Sequence, residues 1–229
     1  MARPAEHHTP EARTASTRAE RAKDRRLAVE NLAAPEKNAA ESGAHLVLID
    51  ESGAHLTPLV RRSLAPRGQT PILKTPGRKR QKVSMIAALS MAPRRNRIGL
   101  YFRCFPDRHV TQVEAAQFVR NLLKHLRGPV HLVWDRGNTH KGDTIRALHR
   151  DYPRLTSHWF PPYAPELNPV EYVWNHAKFG RGANYLPRDL PQLHQWLERL
   201  LCEARGDPQR KISFFDQAGL PLRSRTLAS

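Results

Sequence analysis

Cysteine is scarce in this chain and long apolar runs are missing from it. Cys104 and Cys202 are the only thiols in 229 residues. They stand far apart, outside any CxxC or Cys/His ligand spacing, which argues against a disulfide framework and reads as two reduced packing residues of a cytosolic protein. No stretch approaches the roughly 18 to 20 apolar residues of a membrane span, and the N-terminus lacks the apolar centre of a secretory signal. The expected location is therefore cytoplasmic, or on the nucleoid, with no membrane partner. Acid is also in short supply: 21 acidic residues face 38 Lys and Arg, a net charge of +17.

The basic excess is unevenly placed. Residues 1–40 hold eight basic and six acidic side chains, so 17 − 2 = 15 of the positive charges belong to the remainder. Such an excess favours a polyanion, most simply nucleic acid. With 39% hydrophobic residues, the chain can bury one ordinary core and carry tails. Three segments are expected: a charged helical or disordered extension over 1–44, a folded domain over 45–205, and a C-terminal tail over 206–229. Within the extension, residues 14–34 form a charged, weakly amphipathic helix between Pro10 and Pro35, or stay disordered. No helical pair there reads as a helix-turn-helix.

From residue 45 strands and helices alternate. HLVLID, ending at Asp50, is a short apolar strand, and ESGAHL is the turn into a second strand running toward Val60. Between Arg61 and Lys82 lie eight Lys or Arg and no acid, broken by Pro and Gly. KVSMIAALS and RIGLYFRCF flank the turn MAPRRN. Thr111 to Arg127 is the clearest helix, with Thr111 as N-cap and Glu114 at the capping-box position. VHLVWD then ends at Asp135, a helix spans about Thr139 to Arg150, LTSHWF is a strand, and helices begin near Asn168 and at Leu190. This order predicts an α/β fold, a mixed sheet with helices on its faces.

Three acids draw attention. Asp50 and Asp135 each close an apolar strand where ligand sites in α/β sheets lie, although Asp also starts turns for local reasons. Glu171 falls at the third position of a helix capped by Asn168 and opened by Pro169, where a capping-box glutamate reaches back to the cap. Yet Val170, Val173, Trp174 and Ala177 trace the buried stripe, which puts Glu171, Asn175 and Lys178 on a neighbouring face. Carboxylates converging from separate elements suit two divalent ions bridging a phosphate.

These motifs resemble the DDE transposases of the mariner superfamily, in particular its bacterial insertion-sequence branch. FPPYAPELNPVEYVWNHAK (Phe160 to Lys178) is similar to the family's third-acid motif, IDESG to the first and LVWDRGNTH to the second. Between Asp135 and Glu171 there are 171 − 135 − 1 = 35 residues, close to the family's interval. SLAPRGQTP also resembles the family, with Leu64 where many relatives carry Trp. The resemblance implies a ribonuclease H-like fold in which Asp50, Asp135 and Glu171 bind two Mg²⁺ or Mn²⁺ ions. It also implies the reaction: cutting double-stranded DNA at transposon ends, then attack of the freed 3′ hydroxyl on target DNA. The alternatives are another ribonuclease H-like nuclease, or a DNA-binding remnant that no longer transposes.

Contacts to DNA are expected from Arg67, Lys74, Arg78, Lys79, Arg80 and Lys82 in the basic stretch, from Asn138 and His140 after the second acid, and from Asn175 and Lys178 after the third. His140 matches a histidine often found in the family's second motif. The resemblance further implies a homodimer assembled on DNA. Because family members normally carry an N-terminal helix-turn-helix region, a separately encoded protein that recognises the ends is an expected partner.

Overall fold

The computed structural model describes residues 35–57, 66–68, 81–161 and 165–220. A helix over 35–41 (α1) leads into β1 (His45–His55), β2 (Lys82–Met91) and β3 (Ile98–Pro106). Then come α2 (Gln112–His125), β4 (Val130–Trp134), α3 (Asp143–Asp151), β5 (Leu155–Trp159), α4 (Pro169–Trp174), α5 (Leu190–Gly206) and α6 (Pro208–Gln217). The sheet order is β3-β2-β1-β4-β5, antiparallel on the β3-β2-β1 side and parallel across β1-β4-β5.

Strand alternation sorts the core into two layers. Leu46 and Leu48 of β1, with Met85, Ala87 and Leu89 of β2, pack under α4, α5 and α6. Val47 and Ile49, with Ile86 and Ala88, pack under α2 and α3. β2 is buried along nearly its whole length, which explains its run of apolar residues without polar alternation. Local signals fix the helix starts. Thr111 and Glu114 form both arms of a capping box on α2, and the Asp189 carboxylate accepts from the Gln192 N–H at 2.8 Å to open α5. Among the described residues no helix is long and apolar enough to cross a membrane.

The structure corrects three expectations. ESGAH is no turn; it continues β1, which pairs with β2 from Leu46↔Met91 through to His55↔Lys82. The ten-residue β2 supplies ladder partners for every one of those residues, so the strand has no reason to break. The helix expected from Thr139 begins instead at Asp143. A 3-10 turn occupies Asn138–His140, and Gly142 at φ 100° stands between them. The segment expected as a tail holds α6, capped by Asp207, whose carboxylate accepts from the Arg210 N–H at 2.9 Å. Expectations for residues 14–34, the strand toward Val60, Leu64 and most of the basic stretch fall outside the described residues.

Phe214 and Phe215 of α6 are buried in the same cluster as Trp174 and Leu201. Phe215→Ala is accordingly expected to cost about 3–5 kcal/mol, read as a lower denaturant midpoint at unchanged slope. A midpoint within error of the parent would show that α6 stands outside the cooperative unit.

Candidate active site

The parallel pairing of β1 with β4 ends at Leu48↔Val133. Asp50 stands two residues beyond Leu48 (50 − 48 = 2) and Asp135 two beyond Val133 (135 − 133 = 2), so the two acids stand at one level, Asp135 just past the end of β4 and Asp50 within β1, which runs on beside β2. Asp50 shares the parity of Leu46 and Leu48, which face α4. There its Oδ2 accepts from the Trp174 indole N–H at 2.8 Å. α4 is tied down beside it: the Asn168 side chain accepts from the Val170 N–H at 3.1 Å and donates to the Ile49 carbonyl at 3.4 Å. Sheet register and this cap together bring Glu171 close to Asp50 of β1.

The Asp50 carboxyl feels the charge of both other acids. Burial, then the negative charge of Glu171, outweigh the Trp174 hydrogen bond and push the Asp50 carboxyl up to about 8, with Glu51 and Asp135 adding to the rise. Burial also raises Glu171, against the opposing charge of Lys178. Among the described residues no hydrogen bond engages the Glu171 carboxylate, so the capping-box role open to it in sequence is not used. The cap comes from Asn168 instead. Lys178 is lowered by burial and held up by Glu171 and Asp50, and its ammonium donates to the Ser52 hydroxyl.

The backbone around Lys178 departs from α-geometry. Asn175–Arg181 is a π-helical segment continuing α4, ended at Gly182, where a Cβ would run into the Ala177 carbonyl. Such widened turns occur often at functional sites. Its effect is to break the single face expected for Glu171, Asn175 and Lys178. Lys178 joins Glu171 at the acids, whereas exposed Asn175 lines a separate cleft of about 380 Å³ with Arg210, Ser213 and Gln217.

Asp135 is turned toward a second group. Its Oδ1 lies 2.7 Å from His140 Nδ1 and accepts from the Gly137 N–H at 2.8 Å. His140 Nε2 lies 2.8 Å from Glu51 Oε1, and the ring stacks on Trp134 with centroids 4.6 Å apart. Burial alone would depress this imidazole, but hydrogen bonds to Asp135 and Glu51, with the charge of Glu51, raise it to about 10. It is therefore an imidazolium donating from both nitrogens. In return His140, more than any other group, lowers Asp135, against burial and with help from the Gly137 N–H. His140 was expected among the DNA contacts. At 1% exposure it is closed to a phosphate, and what it touches is Asp135 and Glu51.

Of the remaining candidates, Arg67 is exposed in a short turn. Lys82 opens β2 with its ammonium 3.0 Å from His109 Nδ1, and Asn138 begins the 3-10 turn that leads to His140. Lys74, Arg78, Lys79 and Arg80 lie outside the described residues. Sequence reasoning did not single out Glu51 or Ser52, and took Trp174 for packing alone.

The donor set suits divalent ions. Asp50, Glu51, Asp135 and Glu171 face two cations, Lys178 and His140, leaving 4 − 2 = 2 negative charges when all are ionised. A carboxyl held protonated near neutrality by burial, and then by its acidic neighbours, marks a place where cationic charge is accommodated. Among the described residues, the ligand atoms of the three acids do not all lie within 4.8 Å of one another.

Residues 45–194 match the family of DDE superfamily endonucleases. The chain belongs to that family. The match covers 150 of 229 residues (194 − 45 + 1 = 150) and takes in Asp50, Asp135 and Glu171. Its fold is similar to the Mos1 mariner paired end complex with Mn, with TM-score 0.61 and 17% identity over 97% of this chain and 63% of that one. It is similar to the Mos1 strand transfer complex, with TM-score 0.61 and 18% identity over 97% and 62%. A pre-cleavage Mos1 transpososome gives 0.56 and 17% over 96% and 66%. The chain thus spans about two thirds or less of those chains, and it has their ribonuclease H-like sheet. No curated protein matches it.

Proposed function

We propose that this chain is the catalytic domain of a DNA transposase. In this reading Asp50, Asp135 and Glu171 hold two Mg²⁺ or Mn²⁺ ions, and the domain cuts double-stranded DNA at transposon ends and joins the freed 3′ hydroxyl to target DNA. The observation that carries it is the placement of Asp50 and Asp135 at one level on neighbouring parallel strands, with Glu171 coupled to Asp50 from α4. Membership of the endonuclease family supports it, as does the fold shared with Mos1 complexes named for paired ends and strand transfer.

Bound there, the ions would activate the attacking water or 3′ hydroxyl and neutralise the phosphate. The protein's own part is position and charge. Trp174 fixes one oxygen of Asp50 and leaves the other open. His140 holds Asp135 ionised and aimed, and its own charge is balanced by Glu51. Lys178 offers a half-buried cation beside Asp50 and Glu171, placed for a phosphate oxygen. Arg67, Lys74, Arg78, Lys79, Arg80, Lys82, Asn138 and Asn175 are proposed contacts along the duplex. A homodimer on paired ends and a separate end-recognition protein complete the reading.

Replacing Arg78, Lys79 and Arg80 together is expected to weaken binding to every duplex and to reduce the slope of log K against log salt by about 2 to 3. An unchanged slope would remove these three residues from the phosphate path. The transferase itself is tested by incubating the chain with a short duplex bearing a 3′ hydroxyl, supercoiled plasmid and Mn²⁺. Joined product that a chelator abolishes is expected. Metal-dependent cutting without joining would reduce the protein to a nuclease of the same fold.

A further inference from the structure

Away from the acids, at the far edge of the sheet, three side chains of different chemistry converge. Cys104 lies on β3, the edge strand, with its side chain in the layer under α5. His194 and Glu198 lie one turn apart on α5, the i,i+4 spacing that sets two side chains side by side. The Cys104 sulfur, an imidazole nitrogen of His194 and a carboxylate oxygen of Glu198 all lie within 4.8 Å of one another, and among the described residues they are the one such trio. No part of the proposed DNA chemistry uses them.

Ordinary packing leaves this cluster unexplained. His194 Nε2 is buried and makes no hydrogen bond; Glu198 Oε1 is 3.3 Å away but off the line a hydrogen bond needs. A buried ring nitrogen without a partner costs free energy. A nucleophilic Cys–His pair is also a poor fit, because burial, then the charge of Glu198, push the Cys104 thiol up to about 12, the reverse of an activated thiolate.

We propose that Cys104, His194 and Glu198 bind a zinc-type divalent ion that clips the edge strand β3 to α5. One thiolate, one imidazole and one carboxylate are three of the ligand types that tetrahedral zinc accepts, leaving a fourth position for water. Thiolate and carboxylate together carry two negative charges, which a divalent ion balances in a half-buried place. Bond lengths of about 2.0 to 2.3 Å put tetrahedral ligands roughly 3.3 to 3.6 Å apart, so the trio needs only side-chain closure. The two metal sites sort their ions by hardness: a thiolate disfavours Mg²⁺, whereas an all-carboxylate site accepts it.

The test uses the full chain stripped with chelator and titrated with Co²⁺, then with Zn²⁺. One cobalt per chain is expected at this site, with a thiolate-to-cobalt charge-transfer band that Zn²⁺ displaces and Mg²⁺ does not. The band should vanish in Cys104→Ser, and Co²⁺ affinity should fall about tenfold or more in His194→Gln and in Glu198→Gln. At a hundredfold excess over Kd, Zn²⁺ should raise the unfolding midpoint by roughly 5–10 °C. The band should persist in the Asp50→Asn, Glu171→Gln double variant, which separates this site from the proposed catalytic one. Absence of the band in the parent chain, or its survival in Cys104→Ser, would overturn the proposal. If Cys104→Ser does not fold, unchanged cobalt affinity in both helix variants overturns it equally.

Discussion

Asp50→Asn is expected to slow metal-dependent DNA cleavage by roughly 10³-fold, the several kcal/mol that a correctly held ion contributes, while making the metal-free protein harder to melt at pH 8. Both effects come from one cause. The Asp50 carboxyl is raised to about 8 because burial and Glu171 disfavour its charge. A carboxyl raised on folding contributes stability that is fully present below its unfolded value near 3.8 and is lost as pH rises through about 8. Asparagine carries no charge and still accepts from the Trp174 N–H, so it removes that loss. In chelator the parent's melting temperature should therefore fall between pH 5 and 9 more steeply than the variant's.

The same carboxyl makes ion binding compete with a proton. Below pH 8 the apparent Mg²⁺ affinity of the parent should weaken by up to about tenfold per pH unit. Asp50→Asn should lose both this dependence and the stabilisation by Mg²⁺. Equal melting curves for the two proteins at pH 8 in chelator would mean that burial and Glu171 do not oppose the charge of Asp50.

The second large effect is expected at His140. His140→Ala removes a buried ring stacked on Trp134 and strands two carboxylates that share its charge. The Asp135 arm is more than half exposed, so solvent screens it. The larger loss comes from the Glu51 arm and the packing, about 2–4 kcal/mol in all. The imidazolium is raised to about 10 and Asp135 is lowered. Its contribution is present below pH 6.5 and fades as pH rises through about 10, whereas that of Asp135 fades as pH falls below its usual range. The stability difference between parent and variant should thus be widest in the middle of the pH range. Well below its melting temperature, His140→Ala should cleave about 10- to 100-fold more slowly, as when a group orienting a metal ligand is lost. DNA affinity should hold. Weakened binding with normal cleavage at saturating DNA would return His140 to the DNA contacts.

Much of this arrangement was legible in the sequence because it rests on local signals. VHLVWD is an apolar run ended by a carboxylate and Asn168-Pro169 is a capping sequence, and each produced the expected element end, whereas HLVLID gave the strand but not its end, because β2 keeps β1 paired as far as His55. What escaped depends on contacts between distant residues. Glu51 meets His140 across 89 positions, and Trp174 meets Asp50 across 124. Neither partner has a local pattern that announces the other. The π-helical segment escaped as well, since it depends on how Gly182 closes against Ala177 and not on composition. α6 was hidden because Phe214 and Phe215 are adjacent in a short polar helix, where no 3.6-residue period can emerge. Cys104 and His194 lie on different elements, so no ligand spacing along the chain could reveal them.

The most direct test is nicking of supercoiled plasmid by the purified chain with Mg²⁺, with Mn²⁺ and with chelator, beside Asp50→Asn, Asp135→Asn and Glu171→Gln. Nicking by the parent that requires metal and disappears in all three variants is the expected result. Nicking that survives chelator, or that any one of the three variants retains at parental rate, would contradict a site built from these acids.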